Sequence, residues 1–147
     1  MDEKRISTGI DGLDEAVDFL RPGDTAVWQC EHISDYMYVA TRFVTNIARQ
    51  GKRIVYLRFG DHDEIMDTRA LCEGGANAQE YALDPRVGFE TFAVQVHRII
   101  DREPQGTFFV FDCLSELQKY WFSDLMIANF FLLINPFLIR RHAIAYQ

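Results

Sequence analysis

Residues 107–112 read Thr-Phe-Phe-Val-Phe-Asp, an apolar run that ends in a carboxylate. A second run of the same kind, Arg-Ile-Val-Tyr-Leu-Arg-Phe, occupies residues 53–59. Continuous apolar runs of this length are typical of strands that are buried on both faces of a parallel sheet. The two runs therefore predict the centre of an α/β fold.

The segments around these runs alternate between strand and helix patterns. Short strands are predicted at residues 25–28 and 142–147, and helices at residues 34–50 and 89–102. Residues 66–90 are less regular and predict short helices and a loop. Strands that alternate with helices imply βαβ units. We therefore expect an α/β fold with three αβα layers and a mostly parallel sheet.

Composition limits the possible functions of the chain. Its 147 residues, 48% of them hydrophobic, suffice for one domain spanning residues 1–147. The net charge of -7 disfavours a nucleic-acid partner, because such partners call for a basic face. Three widely spaced cysteines and a polar N-terminus without a signal-peptide core indicate the cytoplasm. The chain ends within a predicted strand, so we expect the domain to be incomplete and the chain to be the N-terminal fragment of a longer protein.

The segment from Leu125 to Ile139 is uncharged and mostly apolar. It is shorter than the roughly 20 residues of a membrane helix. It therefore predicts a buried helix that breaks at Asn135-Pro136, and no membrane partner. The aromatic residues between positions 120 and 139 are expected in the core. Any of them left exposed would mark an interface with the rest of the protein or with another copy.

Four segments in order carry a resemblance to a known family. They are STGIDGLDEAV at 7–17, RPGDTAVWQ at 21–29, ARQGKRIVYLRF at 48–59 and FFVFDCLSEL at 108–117. Together they resemble the KaiC-like and RadA-like ATPases of the RecA superfamily. The resemblance implies a RecA/KaiC-like fold of the P-loop NTPase type.

In that family the first strand leads into the phosphate-binding loop GxxxxGK[ST]. Here the corresponding residues are Cys30, Glu31, His32, Ile33, Ser34, Asp35, Tyr36 and Met37, without a glycine. Tyr36 stands where the lysine belongs and Met37 where the hydroxyl belongs. Each lost charge-assisted contact is worth about 1.5–3 kcal/mol. We therefore expect a degenerate Walker A loop that binds no ATP or Mg²⁺ in the usual mode, and no other cofactor.

Two acidic residues match the remaining active-site positions of the family. Asp112 ends a strand where the family has its Mg²⁺-associated acid, and Asp61 follows the second strand where a water-activating acid stands. Both are interpreted as remnants, and Asp112 is the possible metal ligand. Asp112 is equally well explained as an ordinary strand-end acid.

The sequence leaves two other kinds of site open, a metal site and a cysteine hydrolase site. The turn Asp61–Glu64 could bind a metal, although a solvated acidic turn explains it better. Cys30 or Cys113 could form a hydrolase site with His62, His97 or His142, although buried structural cysteine is the default.

A second resemblance concerns large multidomain proteins. The segments that carry it are VWQ at 27–29, ISDY at 33–36, FV at 43–44, QGKRIVYLRFG at 50–60, SELQKYW at 115–121 and SDLMIANFF at 123–131. They are similar to the N-terminal segment of proteins related to phosphoenolpyruvate synthase and pyruvate phosphate dikinase. This resemblance implies that a full-length protein is an ATP-dependent phosphotransferase whose catalytic residues lie downstream.

The function predicted from these observations is a catalytically inactive RecA/KaiC-like module with a regulatory, sensory or assembly role. Its expected partners are its own C-terminal domains or another copy in a homo-oligomer. The alternatives are a residual ATP-binding KaiC-like ATPase and a recombinase-like DNA partner.

Overall fold

The structure is a computed structural model that describes residues 5–147. The polar N-terminus, in which no signal-peptide core was predicted, lies partly outside the described residues, since it includes residues 1–4. The described residues form five strands: β1 (Thr25–Ala26), β2 (Arg53–Arg58), β3 (Asn77–Ala82), β4 (Phe108–Asp112) and β5 (Ile144–Tyr146). They form one sheet in the order β1-β5-β4-β2-β3, and every pairing is parallel. The prediction of a mostly parallel sheet is confirmed.

Residues 5–147 contain six α-helices, of which the first precedes β1 and the others connect the strands. They are α1 (Asp11–Val17), α2 (Ile33–Arg49), α3 (Thr68–Glu73), α4 (Phe89–Arg102), α5 (Leu114–Trp121) and α6 (Asp124–Arg140), with a 3₁₀ turn at Pro85–Val87 before α4. The helices predicted over residues 34–50 and 89–102 correspond to α2 and α4.

Helices cover both faces of the sheet. In β2, Ile54 and Tyr56 pack with α2 on one face, whereas Val55 and Leu57 pack with α4, α5 and α6 on the other. All four side chains are at most 1% exposed. Burial on both faces explains why β2 and β4 have continuous apolar sequences rather than alternating ones. The arrangement is consistent with three αβα layers.

Strand β3 corrects the interpretation of residues 66–90 as short helices and a loop. Helix α3 is one such short helix, but Asn77–Ala82 pairs with β2 along its whole length. Its sequence, NAQEYA, is polar because β3 is the edge strand and none of its residues is fully buried. An edge strand of this kind lacks the apolar run by which the central strands are identified.

The predicted break at Asn135-Pro136 is wrong, because α6 continues through Pro136 to Arg140. The buried side chains of α6 are Phe130, Ile134 and Leu138, which form one stripe at helical spacing. Other apolar residues of α6 are exposed: Leu125, Met126, Leu132, Leu133 and Ile139. The prediction of a buried helix therefore holds for one stripe only. Within residues 5–147, no helix combines the length and apolarity needed to cross a membrane.

Candidate functional site

A cavity of about 550 Å³ lies at the carboxyl ends of the parallel strands. Its walls come from residues 27–33 after β1, residues 113–116 after β4, His62 after β2, and Gln147 after β5. Ligands of open α/β sheets bind at this edge, because the strand ends and following loops leave a crevice there. The cavity also falls in the size range of small-molecule sites. It is therefore the candidate functional site.

Tyr36 occupies the position at which the family resemblance calls for a lysine. Its side chain is 5% exposed, and its hydroxyl donates a hydrogen bond of 2.9 Å to the backbone oxygen of Phe111 in β4. Burial, together with the negative charge of Asp112, raises the pKa of the Tyr36 phenol well above its ordinary value. The group is a neutral donor that is already used within the protein. Met37, at the hydroxyl position, packs against the same core cluster as Tyr36.

The other residues of the degenerate loop are exposed. Cys30, Glu31 and His32 line the cavity, and Ser34 and Asp35 lie in the first turn of α2 outside it. Burial, and then the negative charge of Asp35, raises the pKa of the Cys30 thiol. The thiol is therefore less nucleophilic than an ordinary cysteine at neutral pH.

Asp112 lies beneath the cavity rather than in its wall. It is fully buried and accepts a hydrogen bond from the Tyr56 hydroxyl. Its Oδ1 atom lies 2.6 Å from His62 Nε2, a close electrostatic contact that falls short of hydrogen-bond angles. Burial raises the pKa of the Asp112 carboxyl, and the Tyr56 hydrogen bond and His62 partly oppose this shift. The carboxylate thus has one hydrogen bond, from Tyr56, and one close contact, with His62.

Gly60 provides the space that brings His62 onto Asp112. A Cβ atom at Gly60 would lie 2.6 Å from His62 Nε2, so any side chain there would displace the imidazole. The other ring nitrogen, Nδ1, donates to the backbone oxygen of Asp63 at 2.7 Å. Nδ1 of His62 is therefore occupied, and Nε2 contacts the Asp112 carboxylate rather than a cysteine.

Asp61 lies apart from Asp112. Its carboxylate accepts a hydrogen bond of 2.6 Å from the Tyr120 hydroxyl and lines a separate cleft with Arg58 and Arg86. The structure therefore brings together Asp112 and His62 and leaves Asp61 outside. In the sequence, His62 is one of several polar residues in the turn after β2. Which of these side chains faces Asp112 depends on the conformation of the turn, which the sequence does not reveal.

The alternative site chemistries find little support in the geometry. Within residues 5–147, no group of three or more His, Cys, Asp or Glu side chains is arranged to hold a metal ion. Cys113 Sγ contacts the Ser115 hydroxyl at 2.8 Å, and His97 stacks on Phe137 with ring centroids 3.9 Å apart. No hydrogen bond joins a cysteine to a histidine among the side-chain contacts of the described residues.

Comparisons with known proteins found no matching family model and no matching curated protein.

Proposed function

We propose that the chain is a RecA/KaiC-like domain that has lost phosphate binding and serves as a non-hydrolysing regulatory, sensory or assembly module. The observation that carries the proposal is the buried Tyr36 side chain, whose hydroxyl is bonded to Phe111 O at 2.9 Å. In a phosphate-binding loop this position holds a lysine that reaches the β- and γ-phosphates. A buried phenol with its proton committed to the sheet cannot replace that charge.

The charges around the cavity support the same proposal. Among residues 5–147, the charged side chains lining it are the carboxylates Glu31 and Glu116, and no lysine or arginine lines it. A triphosphate would meet these carboxylates with no lysine or arginine in the cavity wall, and the ammonium of Lys119 is already paired with Glu116 at 2.7 Å. Each missing charge-assisted contact removes about 1.5–3 kcal/mol of binding free energy. Several such losses suffice to abolish micromolar affinity.

The exposed apolar side of α6 supports a role in association. Leu125 and Leu132 are each about 70% exposed, and Leu133 and Ile139 are each 56% exposed. Adjacent exposed apolar residues of this kind mark interaction surfaces in many proteins. A partner would be another copy or the C-terminal domains that the resemblance to dikinase-related proteins implies.

Calorimetric titration with ATP and Mg²⁺ tests the proposal. We expect no binding with a Kd in the micromolar range. The matched variants Asp112→Asn and Asp61→Asn remove the same charge, one beneath the cavity and one in the separate cleft. Micromolar, Mg²⁺-dependent binding that is lost in Asp112→Asn and kept in Asp61→Asn would overturn the proposal and favour the residual ATPase.

A further inference from the structure

The side of helix α6 that faces away from the core carries no charge between residues 125 and 139. Leu125, Leu132 and Ile139 follow one another at intervals of seven residues, and all three are exposed. A helix drifts by about 20° over seven residues, so these side chains lie nearly on one line along α6. Leu132 stands two residues from the buried Phe130 and two from the buried Ile134, so the line runs opposite to the packed stripe. Leu125, Leu132 and Ile139 therefore form an outward apolar ridge, the α6 ridge.

The α6 ridge is symmetric about its middle residue. Leu125 and Ile139 lie at equal distances before and after Leu132. When two copies of α6 pack antiparallel around a two-fold axis at Leu132, each Leu125 meets an Ile139, and the two Leu132 side chains meet each other. A two-fold interface requires a surface that is complementary to itself in this way.

The charges at the two ends of α6 fit the same antiparallel arrangement. Asp124 is the first residue of the helix and Arg140 is the last, and both are exposed. They stand at equal distances before and after Leu132, so the antiparallel pair places Asp124 of one copy level with Arg140 of the other. The helix dipoles add to this attraction, because the positive end of each helix lies beside the negative end of the other. A parallel pair would instead bring like charges together.

The middle of α6 also offers a matching hydrogen bond. Pro136 has no N–H, so the backbone oxygen of Leu132 lacks its helical donor. Asn129 is exposed and uncharged. The two-fold axis at Leu132 places Asn129 of one copy level with residue 135 of the other, between Leu132 and Pro136. Its amide can donate to the Leu132 oxygen there, so the pairing does not have to bury that oxygen without a partner.

We propose that the α6 ridge binds a second copy of this chain, in an antiparallel helix pair with a two-fold axis at Leu132. The net charge of -7 makes two copies repel, and an uncharged face is where they can approach most closely. Helix α6 has 17 residues and is about 26 Å long. One such face is smaller than the roughly 800 Å² per partner of a standard interface, so the dimer is weak. The second copy is the partner of the proposed assembly role, so the inference rests on the proposed function.

Sedimentation of the chain between about 5 and 500 µM tests the pairing. We expect an equilibrium between monomer and dimer, without larger species. Leu132→Glu brings two carboxylates together at the two-fold axis and is expected to weaken the dimer more than about tenfold. Tyr38→Glu makes a comparable change at an exposed position of α2, on the other face of the sheet, and is expected to leave the dimer unchanged. Thermal unfolding of each variant verifies that it is folded.

Charge reversal at the ends of α6 tests the direction of the pairing. Asp124→Lys and Arg140→Glu each place like charges level with one another, and each is expected to weaken the dimer about two- to tenfold. The double variant restores opposite charges, and its dimer is expected to be as tight as that of the wild type to within about twofold. A partner other than a copy of this chain would not show this rescue.

The outcomes separate this inference from the proposed function. A chain that stays monomeric at about 500 µM, a dimer that survives Leu132→Glu, or a double variant as weak as the single ones would each overturn the inference. None of these results affects the proposed function, which fails only if ATP binds with Mg²⁺ in the calorimetric titration.

Discussion

Asp14 shows how the segment before β1 is fixed by one residue. Its carboxylate is 4% exposed and accepts hydrogen bonds from the backbone N–H and the hydroxyl of Thr8, both at 2.7 Å, and from the Ser7 hydroxyl. Gly9 has a φ of +82°, and a Cβ atom there would lie 2.6 Å from Arg42 O in α2. The Ser-Thr-Gly turn and Asp14 thus dock the entry segment onto α2, so these residues of the resemblance have a structural role.

Replacement of Asp14 by Asn is expected to destabilise the fold by about 1.5–3 kcal/mol. The amide keeps the shape but presents N–H donors toward groups that already donate, and it lacks the charge that strengthens the bonds. Urea unfolding measures the change in the free energy of unfolding. Asp11→Asn, at an exposed position of the same helix, is the matched control and is expected to change it little. Equal effects of the two variants would contradict the account.

The candidate site was predictable at this scale only in part. The resemblance assigned Tyr36 and Asp112 to active-site positions, and the Tyr36 hydroxyl bonds Phe111 O, one residue before Asp112. It could not predict that His62 rather than Asp61 faces Asp112, since the choice depends on the turn conformation and on the space at Gly60. Trp28 and Gln147 had no chemical signature in the sequence.

Among the elements, α6 explains how a helix accommodates an internal proline. Pro136 is exposed, and the backbone oxygen that loses its helical partner belongs to Leu132, which is 71% exposed. Water can bond that oxygen, so the loss is smaller than in a buried helix. The stripe of Phe130, Ile134 and Leu138 remains packed on the core and holds both halves of the helix in line.

Replacement of Pro136 by Ala is expected to stabilise the protein by about 1–2 kcal/mol. A helical proline costs about 3 kcal/mol relative to alanine, and the lower entropy of the unfolded chain with proline offsets part of that cost. Thermal and urea unfolding measure the gain. Leu133→Ala, three residues earlier and 56% exposed, controls for the gain of an alanine in α6. A loss of stability in Pro136→Ala would show that the proline shapes the packing of α6.

Elements with a continuous apolar core were the predictable ones. Strands β2 and β4 are recognisable in the sequence as continuous apolar runs, because both of their faces are buried. Strand β3 does not, because its exposed edge position permits Asn77, Gln79 and Glu80. The end of α6 was mispredicted for a related reason. Local proline chemistry suggested a break, and packing of the distant stripe overrode it.

At the scale of the whole molecule, an ion pair joins the sheet to a helix at the amino ends of the strands. The cavity lies at the opposite, carboxyl ends. Arg53, the first residue of β2, contacts Glu103 after α4 through Nε at 2.7 Å and through a second nitrogen at 2.9 Å. Tyr81 of β3 donates to the same carboxylate at 3.1 Å. The Glu103 side chain is 6% exposed and that of Arg53 is 22% exposed. This ion pair and the candidate site thus lie at opposite ends of the strands.

Glu103 therefore makes the stability of the protein depend on acidic pH. The hydrogen bond from Arg53, followed by its charge and the bond from Tyr81, lowers the pKa of the Glu103 carboxyl below its ordinary value of 4.5, and burial partly opposes this. The folded state then holds fewer protons than the unfolded state near that pH. The stabilisation is complete above the unfolded pKa and is lost as the pH falls through the folded pKa.

Glu103→Gln is expected to lower the free energy of unfolding by about 1–3 kcal/mol at pH 7, because it leaves Arg53 without its charged partner. At an acidic pH below the folded pKa of Glu103 the wild-type carboxyl is protonated, so the difference between the two proteins is expected to shrink. Urea unfolding at both pH values measures it, and Glu73→Gln, which removes an exposed partner of Arg69, is the control. An equal loss at both pH values would mean that Glu103 stabilises the fold through packing rather than through its charge.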